Sequence, residues 1–341
     1  MTPKKILLLY TGGTIGSMYD EVSGALKPVD FSHLKQWLPE LNRLDVDVEV
    51  VSVKQPVDSS EIMPENWVEM VELLEENYDS FDGFVILHGT DTMAYSASAL
   101  SFMLENLTKP VIFTGSQLPV NVLRSDGKEN ILTAVEMAAC EHNMGPRIRE
   151  VCVYFQSKLY RGNRTIKISA ENFHAFDSPN LSPLALAGVH IEWSHDLISG
   201  NSGKTIFHKK TANRVATITL FPGVNMRAVE AICRLEEIDA IVLRSYGSGN
   251  APIKTGLPSI LKEAIDAGKL IVNISQCISG RVEQEKYHTG KALLEAGVIG
   301  GDDMTFEAAI TKLMVLLGQE LKGEALIQAF VKNLRGEKRI D

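Results

Sequence analysis

No apolar run in the chain approaches the ~18 residues that a membrane-spanning helix needs, so none of its segments reads as a membrane span. After Lys4 and Lys5 come only five apolar residues, Ile6 to Tyr10, too short a core for a secretory signal. These absences favour a cytoplasmic protein. Cysteine is scarce: Cys140, Cys152, Cys233 and Cys277 are far apart, with no CxxC pair. A zinc knuckle or redox pair therefore has no support, and reduced, mostly buried thiols are expected. There is no HExxH and no D-x-D-x-D-G loop, so no metal or other cofactor is expected. Basic residues are also in deficit, 34 against 43 acidic, for a net charge of −9. That balance argues against a nucleic-acid partner, which requires a basic face.

What is present is an ordinary globular composition, 45% hydrophobic and 23% charged over 341 residues. Such a length suggests about two domains with a sizeable core. Short apolar runs alternate with amphipathic stretches. The runs are Ile6–Tyr10, Val48–Val53, Phe84–His88, Val111–Thr114 and Val151–Phe155. Helical patterns occupy Glu65–Tyr78, Ala94–Leu107 and Lys128–Cys140. Unbroken apolar strands separated by helices predict a parallel sheet covered on both faces. Residues 192–213 lose this periodicity and read as an inter-domain linker. The alternation then resumes, with strands at Val215–Leu220, Ala240–Leu243 and Leu270–Ile274. Helices follow at Met226–Leu235, Leu257–Ala267, Phe306–Leu317 and Lys322–Asn333. The expected class is α/β. A larger N-terminal domain, 1–191, holds a doubly wound, mostly parallel sheet. A smaller one, 214–341, holds a parallel sheet with helices on both faces.

Thr11-Gly-Gly-Thr-Ile-Gly16 directly follows the first strand. Its glycines permit positive φ and close approach of a ligand to backbone N–H groups. Thr11 stands where a dinucleotide fingerprint has its first glycine, and no acidic residue follows at the ribose position. A cofactor turn, a structural turn and catalysis by Thr14 all remain open on this motif alone. His88-Gly-Thr-Asp-Thr92 follows another strand. Ligands of parallel sheets bind at the carboxyl ends of strands, so both turns can face one crevice. A threonine hydroxyl becomes a nucleophile when a base removes its proton. Asp91 suits both a helix N-cap and a catalytic role. His88 reads as a hydrogen-bonded core residue. Lys167, in Arg161-Gly-Asn-Arg-Thr-Ile-Lys167, would become a base if desolvated or set beside Arg161 and Arg164. Arg244-Ser-Tyr-Gly-Ser-Gly-Asn-Ala-Pro252 is a polar, glycine-rich loop suited to a ligand or an interface.

Together, Thr11–Gly16 and His88–Thr92 resemble the two signatures of the bacterial-type L-asparaginase family, in its cytoplasmic type I branch. Asp58–Ser60, Thr114–Gln117, Arg124–Asp126, Leu159–Arg164, Arg244–Pro252, Gln276–Gly280 and Gly297–Gly301 extend the likeness over nearly the whole chain. The resemblance implies hydrolysis of the side-chain amide of L-asparagine to L-aspartate and ammonia, with no cofactor. It implies Thr14 as nucleophile, supported by Thr90, Asp91 and Lys167. It places the substrate's α-amino and α-carboxylate groups on Asp58, Ser59 and Ser60, with Asp91 sharing the ammonium. It further implies a homo-oligomer, a dimer or a dimer of dimers, with active sites between subunits. Residues 16–27 would form a lid closing over substrate.

Two departures stand out. Many relatives carry a tyrosine in the loop after the first threonine, but Ser23–Pro28 has no aromatic residue. Tyr19 and Tyr287 are the substitutes to consider. An effector site of some type I members matches Arg244, Ser275, Gln276 and Cys277. Ile166, where a close relative has threonine, removes a hydroxyl beside Lys167 and weighs against allostery. The alternatives are a broader asparaginase–glutaminase, a tRNA-dependent amidotransferase subunit, a non-catalytic asparagine sensor and a nucleotide-binding oxidoreductase. The intact Thr14, Thr90, Asp91 and Lys167 set speaks against the sensor, and the negative charge against a tRNA partner. The missing fingerprint speaks against the oxidoreductase.

Overall fold

The computed structural model describes residues 3–19, 26–28 and 38–339. The chain divides into two compact units, Met1–Lys209 and Lys210–Asp341. Eight strands form the main sheet of the first unit: β1 (Lys4–Gly12), β2 (Val46–Val57), β3 (Gly83–Leu87), β4 (Val111–Thr114), β5 (Val151–Phe155), β6 (Lys158–Arg161), β7 (Ala185–Ala187) and β8 (Ile191–Trp193). Their spatial order is β8-β7-β6-β5-β4-β3-β1-β2. The first five pair in parallel, and β6, β7 and β8 are added antiparallel at one edge. Strand direction alternates side chains between faces. Ile6, Leu8 and Tyr10 therefore pack on one face with Ile131, Ala134, Val135 and Ala138 of α3 (Gly127–Ala139). Leu7 and Leu9 point the other way and are equally buried.

That opposite face carries α1 (Pro64–Asn77) and α2 (Met93–Met103), joined by a hydrogen bond of 2.9 Å from Trp67 Nε1 to Ser96 Oγ. Pro64 starts α1 at a position where a missing N–H costs nothing. Asn66 reaches back to accept the Met63 N–H at 2.8 Å, which closes that terminus. Nearly every residue of α2 is buried, as suits a helix clamped between sheet and neighbours.

β2 is the exception among the expected strands. It lies at the sheet edge, and only Val48 and Val53 along it are buried. The stretch 192–213, expected to link the domains, is secured to the first unit along most of its length. Ile191–Trp193 extends the main sheet, and Ile206–Phe207 pairs antiparallel with Leu104–Glu105. This pairing also ends α2 at Met103, short of the expected Leu107.

The second unit has a parallel sheet of β9 (Val215–Thr219), β10 (Ala240–Ser245), β11 (Leu270–Ser275) and β12 (Ile299–Gly300), in that spatial order. Ile241, Leu243 and Ile271 pack with α4 (Met226–Arg234), α5 (Leu257–Asp266) and Leu293 of α6 (His288–Glu295). Ala240, Val242 and Val272 pack on the other face with α7 (Phe306–Gly318) and α8 (Gly323–Val331). Helices thus cover both faces. All four cysteines are free: Cys152 and Cys233 are buried, Cys140 is half-buried and Cys277 is exposed. Among the described residues, no helix is long and apolar enough to cross a membrane.

Candidate active site

In the first unit the leading strands run in the order 2-1-3-4-5, so the chain reverses direction of winding between β1 and β3. An open parallel sheet forms a crevice at that reversal, beyond the carboxyl ends of the two strands. Thr11 joins these ends, donating from Oγ1 to the Leu87 carbonyl at 2.9 Å. The two signature turns leave β1 and β3 at this place.

The turns touch through backbone. A Cβ on Gly13 would fall 2.4 Å from both Cα and N of Gly89, and Gly13 has φ +85°. A Cβ on Gly89 would fall 2.5 Å from Ser59 Oγ. Only glycine at both positions allows three segments, 12–14, 58–60 and 88–91, to converge. Gly16 closes the first turn by donating to the Gly13 carbonyl at 3.3 Å, and Tyr10 donates from its hydroxyl to the Gly16 carbonyl at 3.0 Å. Burial raises the Tyr10 pKa well above its usual value, so it stays a neutral donor. Thr14 begins the short 3₁₀ turn Thr14–Gly16 and is half-buried.

Asp58 caps a second short turn and accepts from the Ser60 N–H at 2.8 Å and the Ser60 hydroxyl at 2.7 Å. Ser59 ties that turn to the other signature. Its hydroxyl accepts from the Asp91 N–H at 3.3 Å, and its carbonyl accepts from Thr92 Oγ1 at 2.6 Å. Lys167 sits in a two-residue ladder, Ile166–Lys167 against Phe176–Asp177. From there its ammonium donates to Thr90 Oγ1 at 2.8 Å and to Asp91 Oδ1 at 2.6 Å. The Thr90 hydroxyl in turn donates to Gln117 Oε1 at 3.1 Å, and Gln117 Nε2 donates to the Asn172 carbonyl at 3.0 Å. Asp126 fixes this part of the loop by accepting the N–H groups of Gln117 at 3.1 Å and Leu118 at 3.2 Å. Burial raises the Asp126 pKa, against the opposing pull of those N–H groups.

Thus Asp58, Ser59, Ser60, Thr90, Asp91 and Lys167 form one hydrogen-bonded or directly adjoining set, and the Thr14 turn abuts it through Gly13. The Lys167 neighbours differ from the expected ones. Arg161 pairs with Glu150 at 2.6 Å, and buried Arg164 donates to the Asn180 carbonyl at 3.0 Å. The Lys167 ammonium instead faces a carboxylate and a hydroxyl. Gln117 belongs to a recognised motif, but its link to Thr90 depends on folding and was not readable from spacing. Among the described residues no group of His, Cys, Asp and Glu could hold a metal ion.

The remaining candidates lie elsewhere. The side chain of Tyr19 is outside the described residues, as are residues 20–25 of the expected lid. Tyr287 belongs to the second unit, where it is half-exposed beneath the Lys286 ammonium. Arg244, Ser275, Gln276 and Cys277 cluster at strand ends of that unit. Gln276 Nε2 donates to the carbonyls of Leu220 at 2.7 Å and Arg244 at 2.8 Å. Ser275 donates to the Gly247 carbonyl at 2.6 Å and accepts the Cys277 N–H at 3.0 Å. Arg244 lies over the Phe306 ring with its Nε buried.

A hydroxyl, an ammonium and a carboxylate thus meet at the switch point of the α/β sheet. Residues 5–199 match the family model described as Asparaginase, N-terminal, and residues 214–330 that of the Glutaminase/Asparaginase C-terminal domain. L-asparaginase 1 of Escherichia coli K12 is 47% identical over 99% of this chain and 98% of its own. L-asparaginase of Thermococcus kodakarensis is 35% identical over 98% of each chain. The crystal structure of L-asparaginase I from Vibrio cholerae superposes with a TM-score of 0.89 at 42% identity, covering 99% of this chain and all of the other. The protein is a hydrolase acting on linear amides. It belongs to the bacterial-type L-asparaginase family, in its type I branch.

Proposed function

We propose that this enzyme hydrolyses the side-chain amide of L-asparagine to L-aspartate and ammonia, with Thr14 as nucleophile. The observation that carries the reading is the chain Lys167–Thr90–Gln117, joined to Asp91 and Ser59 at the carboxyl ends of β1 and β3. Asp58, Ser59 and Ser60 would hold the α-amino and α-carboxylate groups, with Asp91 sharing the ammonium. Thr14 Oγ would attack the amide carbon as its proton passes to water, the proton that later converts the released ammonia to ammonium. Charge then develops on the carbonyl oxygen, where backbone N–H donors act. One such donor is typically worth ~10²–10³ in rate. Collapse breaks the C–N bond. The departing nitrogen takes the Thr90 hydroxyl proton, and Lys167 resupplies Thr90. Water then attacks the acyl-threonine, frees aspartate, and returns the protons to Thr14 and Lys167.

The donor–acceptor geometry supports this division of labour. Lys167 donates to Thr90, so in this state Thr90 is equipped to give a proton rather than to attack. Domain 1–191 would then carry the chemistry, 192–213 would be the connection and 214–341 the second domain. The protein would be cytoplasmic and a homo-oligomer, a dimer or a dimer of dimers. Arg244, Ser275, Gln276 and Cys277 would form an effector site, and Tyr19 or Tyr287 would serve Thr14. Ammonia release from asparagine by the wild type and by Thr14→Ala tests the reading. Loss of about 10³ or more in kcat is expected, and an active Thr14→Ala overturns it. Glutamine in the same assay measures breadth of specificity, since one methylene is worth only ~1–3 kcal/mol. A sigmoidal saturation curve would support the effector site. Tyr19→Phe and Tyr287→Phe separate the two tyrosines, because unchanged turnover removes the residue concerned.

A further inference from the structure

Behind the reacting groups lies a buried polar chain that the mechanism above does not use. It begins on α1 at Trp67, passes through Ser96 on α2, and ends at His88, just after β3. Trp67 Nε1 donates to Ser96 Oγ at 2.9 Å. Ser96 Oγ lies 2.9 Å from His88 Nε2, and His88 Nδ1 lies 2.7 Å from the Gly89 carbonyl. Ser96 and His88 are both 0% exposed, so water does not compete for these bonds.

Only one arrangement of protons satisfies the chain. The indole N–H can only donate and the Gly89 carbonyl can only accept. Nδ1 must therefore carry the imidazole proton. Burial lowers the His88 pKa to about 4, outweighing the Gly89 bond and the Asp58 charge, so the ring is neutral near pH 7. Nε2 is then an acceptor, and the Ser96 hydroxyl proton points to it. Such a chain fixes the tautomer and the direction of its last acceptor.

That acceptor is the carbonyl half of the Gly89–Thr90 peptide. The described peptides are trans, so the Thr90 N–H points opposite to the Gly89 carbonyl. The carbonyl is drawn toward the His88 ring in the core, and the N–H is turned away from that ring. The Thr90 N–H takes no hydrogen-bond partner among the described residues, although Thr90 is only 8% exposed. Gly89 has no Cβ to limit rotation of this peptide, and the Ser59 hydroxyl and Gly13 leave no space for one. An external restraint is needed to hold the peptide plane, and His88 supplies it.

We propose that Trp67, Ser96 and His88 are positioning residues that hold the Gly89–Thr90 peptide so that the Thr90 N–H meets the carbonyl oxygen of the scissile amide. The inference rests on the reading that this amide lies between Thr14 and Thr90. None of the three residues touches substrate. Their effect falls on kcat, because charge on that oxygen grows in the transition state.

The test uses the full-length enzyme with Ser96→Ala, His88→Asn and His88→Leu. Ser96→Ala removes the donor to Nε2 and frees the ring to tilt, leaving the Gly89 carbonyl alone to hold the Nδ1 tautomer. His88→Asn keeps a side-chain N–H near the Nδ1 position, and His88→Leu does not. Ser96→Ala should lose about tenfold or more in kcat with KM within about twofold, as expected when a donor is misaimed rather than deleted. His88→Asn should retain about tenfold more kcat than His88→Leu. Nitrogen-15 NMR should find His88 neutral and protonated at Nδ1 in the wild type, with the Nε2 resonance shifted in Ser96→Ala as its hydrogen bond is lost. Circular dichroism at the assay temperature confirms folding, and Ser96→Ala decides the matter if His88→Leu does not fold. Unchanged kcat in folded Ser96→Ala, a change confined to KM, or an Nε2-protonated wild type would overturn the proposal. An active Thr14→Ala would instead refute the nucleophile reading, while the NMR result would still judge the relay.

Discussion

Lys312 offers the most demanding test of the energetics. It lies on α7 with its side chain 0% exposed, and its partner Glu337 is equally buried. The ammonium donates to the carbonyls of Phe330 at 2.7 Å and Lys332 at 2.6 Å, and to the Glu337 carboxylate. Glu337 also accepts the N–H groups of Leu334 at 3.0 Å and Arg335 at 2.7 Å. Burial pushes the Lys312 pKa below its usual value, with Glu337 opposing. For Glu337, burial alone would raise the pKa, but Lys312 and the backbone donors outweigh it and hold it low. Removing one partner of such a pair typically costs ~3–5 kcal/mol, because the other charge stays buried. Lys312→Met should therefore lower Tm by about 10 °C, at ~2–4 °C per kcal/mol for a unit of this general size. The pH dependence gives the sharper signature. In the wild type Glu337 has a depressed pKa, so its stabilisation is present above the ordinary carboxylate range and is lost as pH falls through the folded pKa. In Lys312→Met burial goes unopposed by an ammonium, and the Glu337 pKa rises. The variant should then lose stability as pH rises, with a small penalty near about pH 5 and the full one near about pH 8. Urea unfolding across that range measures it. A penalty under about 1 kcal/mol, or one independent of pH, would refute the reasoning. Lys312→Met with Glu337→Leu should recover most of the loss, since apolar replacement of a buried pair is often neutral.

Lys167→Met is the converse case. Its partner Asp91 has a side chain 63% exposed, so the ion pair is screened and its loss should cost less than about 1 kcal/mol. The same change should reduce kcat by about 10²–10⁴, the usual worth of a positioned proton donor. Parallel Tm and kcat measurements check the contrast, and a large fall in Tm with kcat preserved would count against it. Gly13→Ala should cost about 3 kcal/mol and most of the activity. The residue has φ +85°, and its Cβ would fall 2.4 Å from Gly89 backbone, so the strand ends must part. Thermal unfolding with ammonia release would show it, and a stable, active variant would disprove the close approach.

The parallel half of the first sheet was legible because its strands, β2 apart, are built on short, fully apolar runs. Val111–Thr114 and Val151–Phe155 are such runs and have the expected bounds. β6 was not legible. It follows β5 after Gln156 and Ser157, whose φ values are 43° and 66°. Such a two-residue turn usually announces itself by Asn-Gly or Gly-Gly, and neither is present. The attachments of the segment 192–213 were not legible because what holds it is discrete rather than periodic. Thr205 Oγ1 bonds the Tyr78 hydroxyl at 3.0 Å, and the Ser199 N–H bonds Glu150 at 2.8 Å. The candidate site divides along the same line. Thr14, Asp58–Ser60 and Thr90–Asp91 stand at the carboxyl ends of strands, so local sequence and the switch-point rule suffice to bring them to one crevice. Lys167 lies 77 residues from Thr90, Gln117 lies 27 away, and Trp67 lies 29 from Ser96. No periodicity encodes those pairings. They exist because α1 and α2 share a face of the sheet and a two-residue ladder aims Lys167 inward. Local pattern therefore locates the groups at the strand ends, and only tertiary packing brings Lys167, Gln117 and the Trp67–Ser96–His88 chain to them.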